Sequence, residues 1–328
     1  MHISKPVVLV LGFLAPAVAT TEAWAQAQPT SGPASASMQR DPKALDVIPA
    51  NLFEKMFSSN KLVGSPGLAW TRKRTLTVAF YGGSEPLYRL IEEAARDWTS
   101  IGGQLKFSFT DTVGKYRVWS PKDKTVSADI RIGFDQADYW SLLGVLAENV
   151  GPGDPTMNFG GFPTDLQRYF DGKNAASWKT SYERGVVLHE FGHALGLSHE
   201  HFSPKCQQDL KIEDAVASQM ASSKVLSYDQ AMFNFDAKYY VKVLKQLAGP
   251  LESKLLTSPN TDQRSQMLYV LRDELFKSGA QSVCKAIGDH GQPWPTVLSD
   301  GDKAFYLDNY RVISSPFGLA GLNAGRKE

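Results

Sequence analysis

The sequence predicts an α+β fold, with an upper lobe of twisted mixed β-sheet and helices above a mostly helical, irregular lower lobe. Three observations carry this expectation. Residues 75–81 alternate like a half-buried strand and stop at Gly82-Gly83. Immediately after, Leu87, Leu90, Ile91, Ala94, Ala95 and Trp98 recur at the spacing that lines one face of a helix. Further on, the run His189-Glu190-Phe191-Gly192-His193-Ala194-Leu195-Gly196-Leu197-Ser198-His199 places chelating side chains on a helix and the turn after it. Such a site belongs between two lobes, where a cleft can form.

The chain opens with a short basic region at Lys5, an apolar stretch over residues 7–19, and the small-residue sequence Ala23-Trp24-Ala25, with Ala25-Gln26-Ala27 as a second cleavage choice. This pattern predicts a signal peptide over residues 1–25 and a secreted or periplasmic protein. The apolar stretch is too short for a membrane span, and no later one approaches the ~20 residues needed. No twin arginine precedes it, and no cysteine stands near it to take a lipid. Residues 26–68 begin rich in Gln, Pro, Ser, Ala and Gly and read as a linker or a pro-segment. The main folded domain is expected over residues 69–312, followed by a flexible tail at 313–328.

Within that domain, Ser84-Glu85-Pro86 opens the first helix, because proline is pre-organised for a helix's first turn. Strands are expected over residues 105–109, 128–134 and 156–159, the last stopped by Gly160-Gly161. Residues 157–159 are the candidate edge strand of the sheet. The metal-binding helix is expected to begin between residues 177 and 182 and to run to Leu195. Residues 210–280 read as helical.

The chemistry follows from the spacing. His189 and His193 lie one turn apart on one helix face, roughly 6 Å along the axis, so both reach one metal. Glu190 projects beside them, placed to take a proton from a metal-activated water. Gly196 can adopt φ > 0, ending the helix and letting the chain return with His199. Three protein ligands leave a coordination position open, the mark of a catalytic zinc rather than a closed structural one. His201 does not fit the ligand spacing and is expected at the surface.

Composition narrows the function classes. Lys and Arg number 35 against 34 Asp and Glu, for a net charge of +1. That balance excludes a strongly basic nucleic-acid or anionic-membrane binder. A hydrophobic content of 42% with seven tryptophans suffices for a real core. The two cysteines, Cys206 and Cys284, suggest a disulfide in an exported chain, with two free buried thiols as the alternative. Oligomeric state leaves no mark on the sequence.

Downstream stands Asp262-Gln263-Arg264-Ser265-Gln266-Met267-Leu268-Tyr269. The zinc helix together with this D-x-x-S-x-M-x-Y run resembles the metzincin metallopeptidases, and within them the astacin-like branch, especially its bacterial relatives. Glu200-His201-Phe202-Ser203-Pro204 after the third histidine is similar to the astacin continuation, as are residues 130–134, 140–144, 156–158 and 298–305. The resemblance spans roughly residues 68–312. It implies a zincin-like fold, with Met267 on a tight turn as an apolar floor under the zinc and Tyr269 as a metal ligand or donor to the reacting carbonyl's oxyanion. Glu200 would then contact the amino terminus of a processed chain, or be a solvated charge. Met232 is a rival for the turn but lacks the S-x-M-x-Y spacing. The stretch between His199 and Met267 is longer than usual for the family, which implies a helical insertion. The cysteines do not follow the usual astacin pattern, and Asp41 and Asp46 are only weak counterparts of a zinc-blocking aspartate.

The resulting expectation is a secreted zinc-dependent endopeptidase with one catalytic Zn2+ on His189, His193 and His199, and Glu190 as general base. Tyr269 would assist, and the partner would be a protein or peptide substrate. A zinc hydrolase of peptidoglycan cross-links and a catalytically silent secreted binding protein are the alternatives.

Overall fold

A five-stranded sheet forms the upper lobe because β1 (Thr75–Phe80) sends its apolar side chains into a core shared with α1 (Glu85–Ser100). The computed structural model describes residues 48–49, 51–52, 68–70, 75–170, 174–223, 226–248 and 260–310. The expected signal peptide, Asp41, Asp46, most of the linker or pro-segment and the tail lie outside them. After α1 come β2 (Lys106–Ser108), β3 (Ile130–Gly133), β4 (Tyr139–Ser141) and β5 (Met157–Phe159). The strand order is β2-β1-β3-β5-β4, parallel throughout except that β4 runs antiparallel to β5. The α+β expectation holds.

One expectation is corrected. Residues 157–159 form an inner strand, and β4, which sequence reading passed over, holds the edge. The cause is local. Asn158 Nδ2 donates to Gln136 O at 3.1 Å and Asp138 O at 2.9 Å, and Gly160 lets that backbone close in. A Cβ on Gly160 would stand 2.4 Å from Gln136 O. The chain is thus folded back along β5, and a three-residue strand is too short to show alternation.

On α1, Leu87, Ile91, Ala94, Ala95 and Trp98 are buried, the stripe expected from spacing. Fully burying each large apolar side chain contributes about 1.5–3 kcal/mol. Trp98 also ties α1 to the central helix, its indole N–H donating to Leu188 O at 2.9 Å. The elements that follow are α2 (Phe162–Asp165), α3 (Ala175–Lys179) and α4 (Tyr182–Ala194), the helix that carries the histidine run. Every residue of α4 from Glu183 to Ala194 is buried, so it has no solvent face. Ser181 caps it by accepting from Arg184 N at 3.1 Å.

The lower lobe holds α5 (Pro204–Asp209), α6 (Ile212–Ser222), α7 (Tyr228–Phe235) and α8 (Ala237–Ala248), and α9 (Asp300–Tyr310) closes the described chain. The helical reading of residues 210–280 holds for the helices up to Ala248, and residues 249–259 lie outside the described residues. Residues 260–299 are irregular, with single 3-10 turns at Asp273–Leu275 and Gly279–Gln281. Turn bonds such as Ile287 N to Gln263 O at 2.7 Å, together with side chains, hold this segment in place of a helical ladder. Asp209, for example, accepts from Ser278 N at 2.9 Å, Ser278 Oγ at 2.6 Å and Ser282 Oγ at 2.6 Å. A Cys206–Cys284 disulfide pins the same segment to α5 across 78 residues of sequence. In the chain-entropy account, closing a loop of that length stabilises by about 4 kcal/mol. Ile48 and Leu52 are buried in the main core, and the Ile48 carbonyl accepts from the buried amide of Gln230 on α7. No helix of the described residues is long and apolar enough to cross a membrane.

Candidate metal centre

Three imidazoles converge at the end of α4. His189 and His193 lie on the helix, and His199 returns after the turn at Gly196, whose φ is +92°. Their nitrogens gather within 4.8 Å of one another, and all three residues are buried. His189 Nδ1 meets Gln266 O at 2.6 Å, and His193 Nδ1 meets Leu197 O at 2.8 Å. A carbonyl only accepts, so each Nδ1 carries the proton and each Nε2 presents a lone pair. Yet His193 Nε2 stands 3.1 Å from both His189 Nε2 and His199 Nε2. The lone pairs of His189 and His193, facing at that distance, repel unless a cation lies between them. The separation is close to the edge of about 3.3 Å that tetrahedral zinc with Zn–N near 2.0–2.1 Å requires. The donor set fits zinc, and this cluster fits a catalytic zinc site.

Glu190 is fully buried beside His189. Beneath the histidines, the turn at residues 262–269 is braced by a second buried carboxylate. Asp302 accepts from Ser265 Oγ at 2.7 Å, Gln266 N at 2.9 Å and Ser299 N at 3.0 Å. Burial pushes the Asp302 carboxyl above the usual carboxylate range, while these bonds pull the other way. Ser265 Oγ in turn accepts from Met267 N at 3.0 Å. The turn therefore fixes both Gln266 O, which orients His189, and Met267. The methionine lies against α4 at Gly192, where a Cβ would come within 2.4 Å of the Met267 sulfur. Met267, not Met232, occupies this floor.

The C-terminal carbonyls of α4 lack helical partners, and distant side chains supply them. Trp70 Nε1 donates to Ala194 O at 2.7 Å, and the Tyr310 hydroxyl donates to Leu195 O at 2.6 Å. Trp70, Tyr310, Gln266 and Asp302 were not singled out from the sequence. Each acts through a contact 36 or more residues away, and periodicity carries no signal for that.

Tyr269 is buried with its ring 4.5 Å from that of His199 and 5.8 Å from that of His189. The surface expectation for His201 is corrected. It is 1% exposed, lies 4.8 Å from the His199 ring at an interplanar angle of 17°, and donates from Nε2 to Asn234 O at 2.7 Å. The third-ligand loop passes under the helices of the lower lobe, so a residue outside the ligand pattern is still enclosed. Glu200 accepts from Asp262 N at 2.7 Å, and its own N–H donates to Met267 O at 2.9 Å. Burial pushes its carboxyl up to about 7, against the Asp262 N–H bond and with the Asp262 and Asp302 charges adding to the rise.

Comparison with known proteins agrees with this geometry. The model of the Matrixin family of peptidases (Peptidase_M10) matches residues 70–206, a stretch that contains His189, Glu190, His193 and His199. Among solved structures, myroilysin matches with a TM-score of 0.51 and 24% identity, over 75% of this chain and 96% of that one. That likeness is one of fold. A hatching-enzyme zinc-protease from the medaka fish Oryzias latipes matches with a TM-score of 0.40 and 14% identity, over 76% of this chain and 96% of that one. No curated protein matches. The matrixin match and the three-histidine cluster support a zinc metallopeptidase of the metzincin kind. The family model that matches is the matrixin one, and the matches carry the chain to the metzincin kind and not to a branch within it.

Proposed function

We propose that this chain is an exported zinc endopeptidase whose site is arranged in the astacin-like manner. The observation that carries the reading is the convergence of His189, His193 and His199 beside the fully buried Glu190, with two of the ligand tautomers fixed by backbone carbonyls. Zinc, when bound, supplies an acidified water and polarises the scissile carbonyl. Glu190 accepts that water's proton and passes it to the leaving amine, work for which a carboxylate shielded from bulk water is suited. Tyr269, whose ring packs against His199, is the candidate donor to the developing oxyanion. The substrate is a protein or peptide, held in an extended form across the site.

The astacin-like assignment rests on Tyr269, which stands two residues beyond the floor methionine and packs on the ligand cluster. Residues 1–25 act as the export signal, and the protein works outside the cytoplasm, where the Cys206–Cys284 bond is stable. Incubation of purified residues 26–328 with casein tests the reading. Fragments that vanish with a zinc chelator and with Glu190→Gln are the expected result. Intact casein, with cleavage of peptidoglycan cross-links instead, would replace it.

A further inference from the structure

Residues on both sides of His199 are tied to α7 and α8, the helices of the long stretch between the third ligand and the floor methionine. Before it, Ser198 Oγ bonds the Tyr240 hydroxyl of α8 at 2.6 Å. After it, His201 donates to Asn234 O, and Phe202 packs on the Tyr240 ring with centroids 4.6 Å apart. The arrangement is reciprocal. Asn234 and Phe235 end α7, where carbonyls lack helical partners. His201 Nε2 fills the first of these, and Gln207 Nε2 the second at 2.9 Å, while the same amide also holds His201 O at 3.0 Å. His201 then presents its ring face nearly parallel to that of His199.

Backbone carbonyls orient the rings of His189 and His193 through Nδ1. For His199, the structure assigns a comparable task to the helical clamp. We infer that His201 and Tyr240 are positioning residues that hold the third ligand at its metal-binding angle: His201 through a stacked ring whose tilt its bond to Asn234 O fixes, Tyr240 through Ser198. The inference rests on the zinc reading of the cluster and not on any substrate. Partners one step removed from a ligand typically contribute 10–100-fold to metal affinity.

The test uses the full chain stripped of metal and titrated with zinc against a chromophoric chelator, alongside the visible spectrum of the cobalt-substituted protein. Tyr240→Phe deletes one oxygen and keeps the ring on Phe202. His201→Phe keeps a ring on His199 and loses the bond to Asn234 O. The expected result is a zinc Kd raised 10-fold or more in both and a shifted cobalt spectrum, with the thermal midpoint of the metal-free protein little changed in Tyr240→Phe and lowered in His201→Phe by the lost bond to Asn234 O. A zinc Kd within twofold of the parent, with a lowered metal-free midpoint, makes these contacts ordinary packing and overturns the inference. If His201→Phe does not fold, Tyr240→Phe alone decides. A parent chain that binds no zinc removes both the clamp and the zinc reading, whereas a parent that binds zinc but cleaves nothing leaves the clamp standing.

Discussion

Replacing Asp302 with alanine should loosen the floor of the metal site from a position that never touches the metal. The carboxylate accepts from the Ser265 hydroxyl and from the backbone N–H groups of Gln266 and Ser299, all within 3.0 Å, and Asp302 is 3% exposed. Removing an acceptor leaves each buried donor with a desolvation cost of about 1–3 kcal/mol. The Ser265 hydroxyl can rotate toward another partner. The two backbone N–H groups cannot, so they set a floor of about 2 kcal/mol for Asp302→Ala. Asp302→Asn should cost less, about 1 kcal/mol, because its oxygen can serve both N–H groups while its amide donates to a turned Ser265 hydroxyl. Gln266 O also orients His189, so zinc affinity should fall by about 10-fold in the alanine variant. Urea unfolding of the metal-free proteins gives the first number and chelator competition the second. An alanine variant within 0.5 kcal/mol of the parent, or an asparagine variant that is the less stable of the two, would refute this account of the turn.

Removing the disulfide by a Cys206→Ala, Cys284→Ala double change should lower stability by up to about 4 kcal/mol, read as the difference in urea unfolding between parent and variant without reductant. Tyr269→Phe should keep the ring packing on His199 and Phe235 and lower kcat on a peptide substrate by about 10²-fold at unchanged KM, as loss of an oxyanion donor does. An unchanged kcat would reduce Tyr269 to a core residue.

What the sequence made legible is what short-range chemistry encodes. The helical stripe from Leu87 to Trp98 and the strand alternation from Thr75 are set by periods of 3.6 and 2, and both appear where expected. The ligand helix follows from the i, i+4 spacing of His189 and His193, and Gly196 takes the positive φ its place after the helix requires. The failures share one cause. The position of β4 depends on Asn158 and Gly160 gripping a loop some 20 residues upstream. The enclosure of His201 depends on α7 arriving from 33 residues away. The irregular stretch after Asn260 was read as helical because its apolar content fits either state. What holds it is turn bonding, the Cys206–Cys284 link and bonds to Asp209 and Asp302, which come together from distant parts of the sequence. Gly192 was visible only as a spacer in the motif, yet it is where the Met267 sulfur and the Trp98 ring reach the helix.

The central claim is that three histidines hold a zinc which Glu190 serves as base, and one preparation tests it most directly. Zinc content and casein cleavage are measured together on the parent and on Glu190→Gln. The account predicts one zinc per chain in both, with cleavage lowered by about 10²–10⁴-fold in the variant. A zinc-loaded variant that cleaves at the parent rate, or a parent chain that holds no zinc, would contradict it.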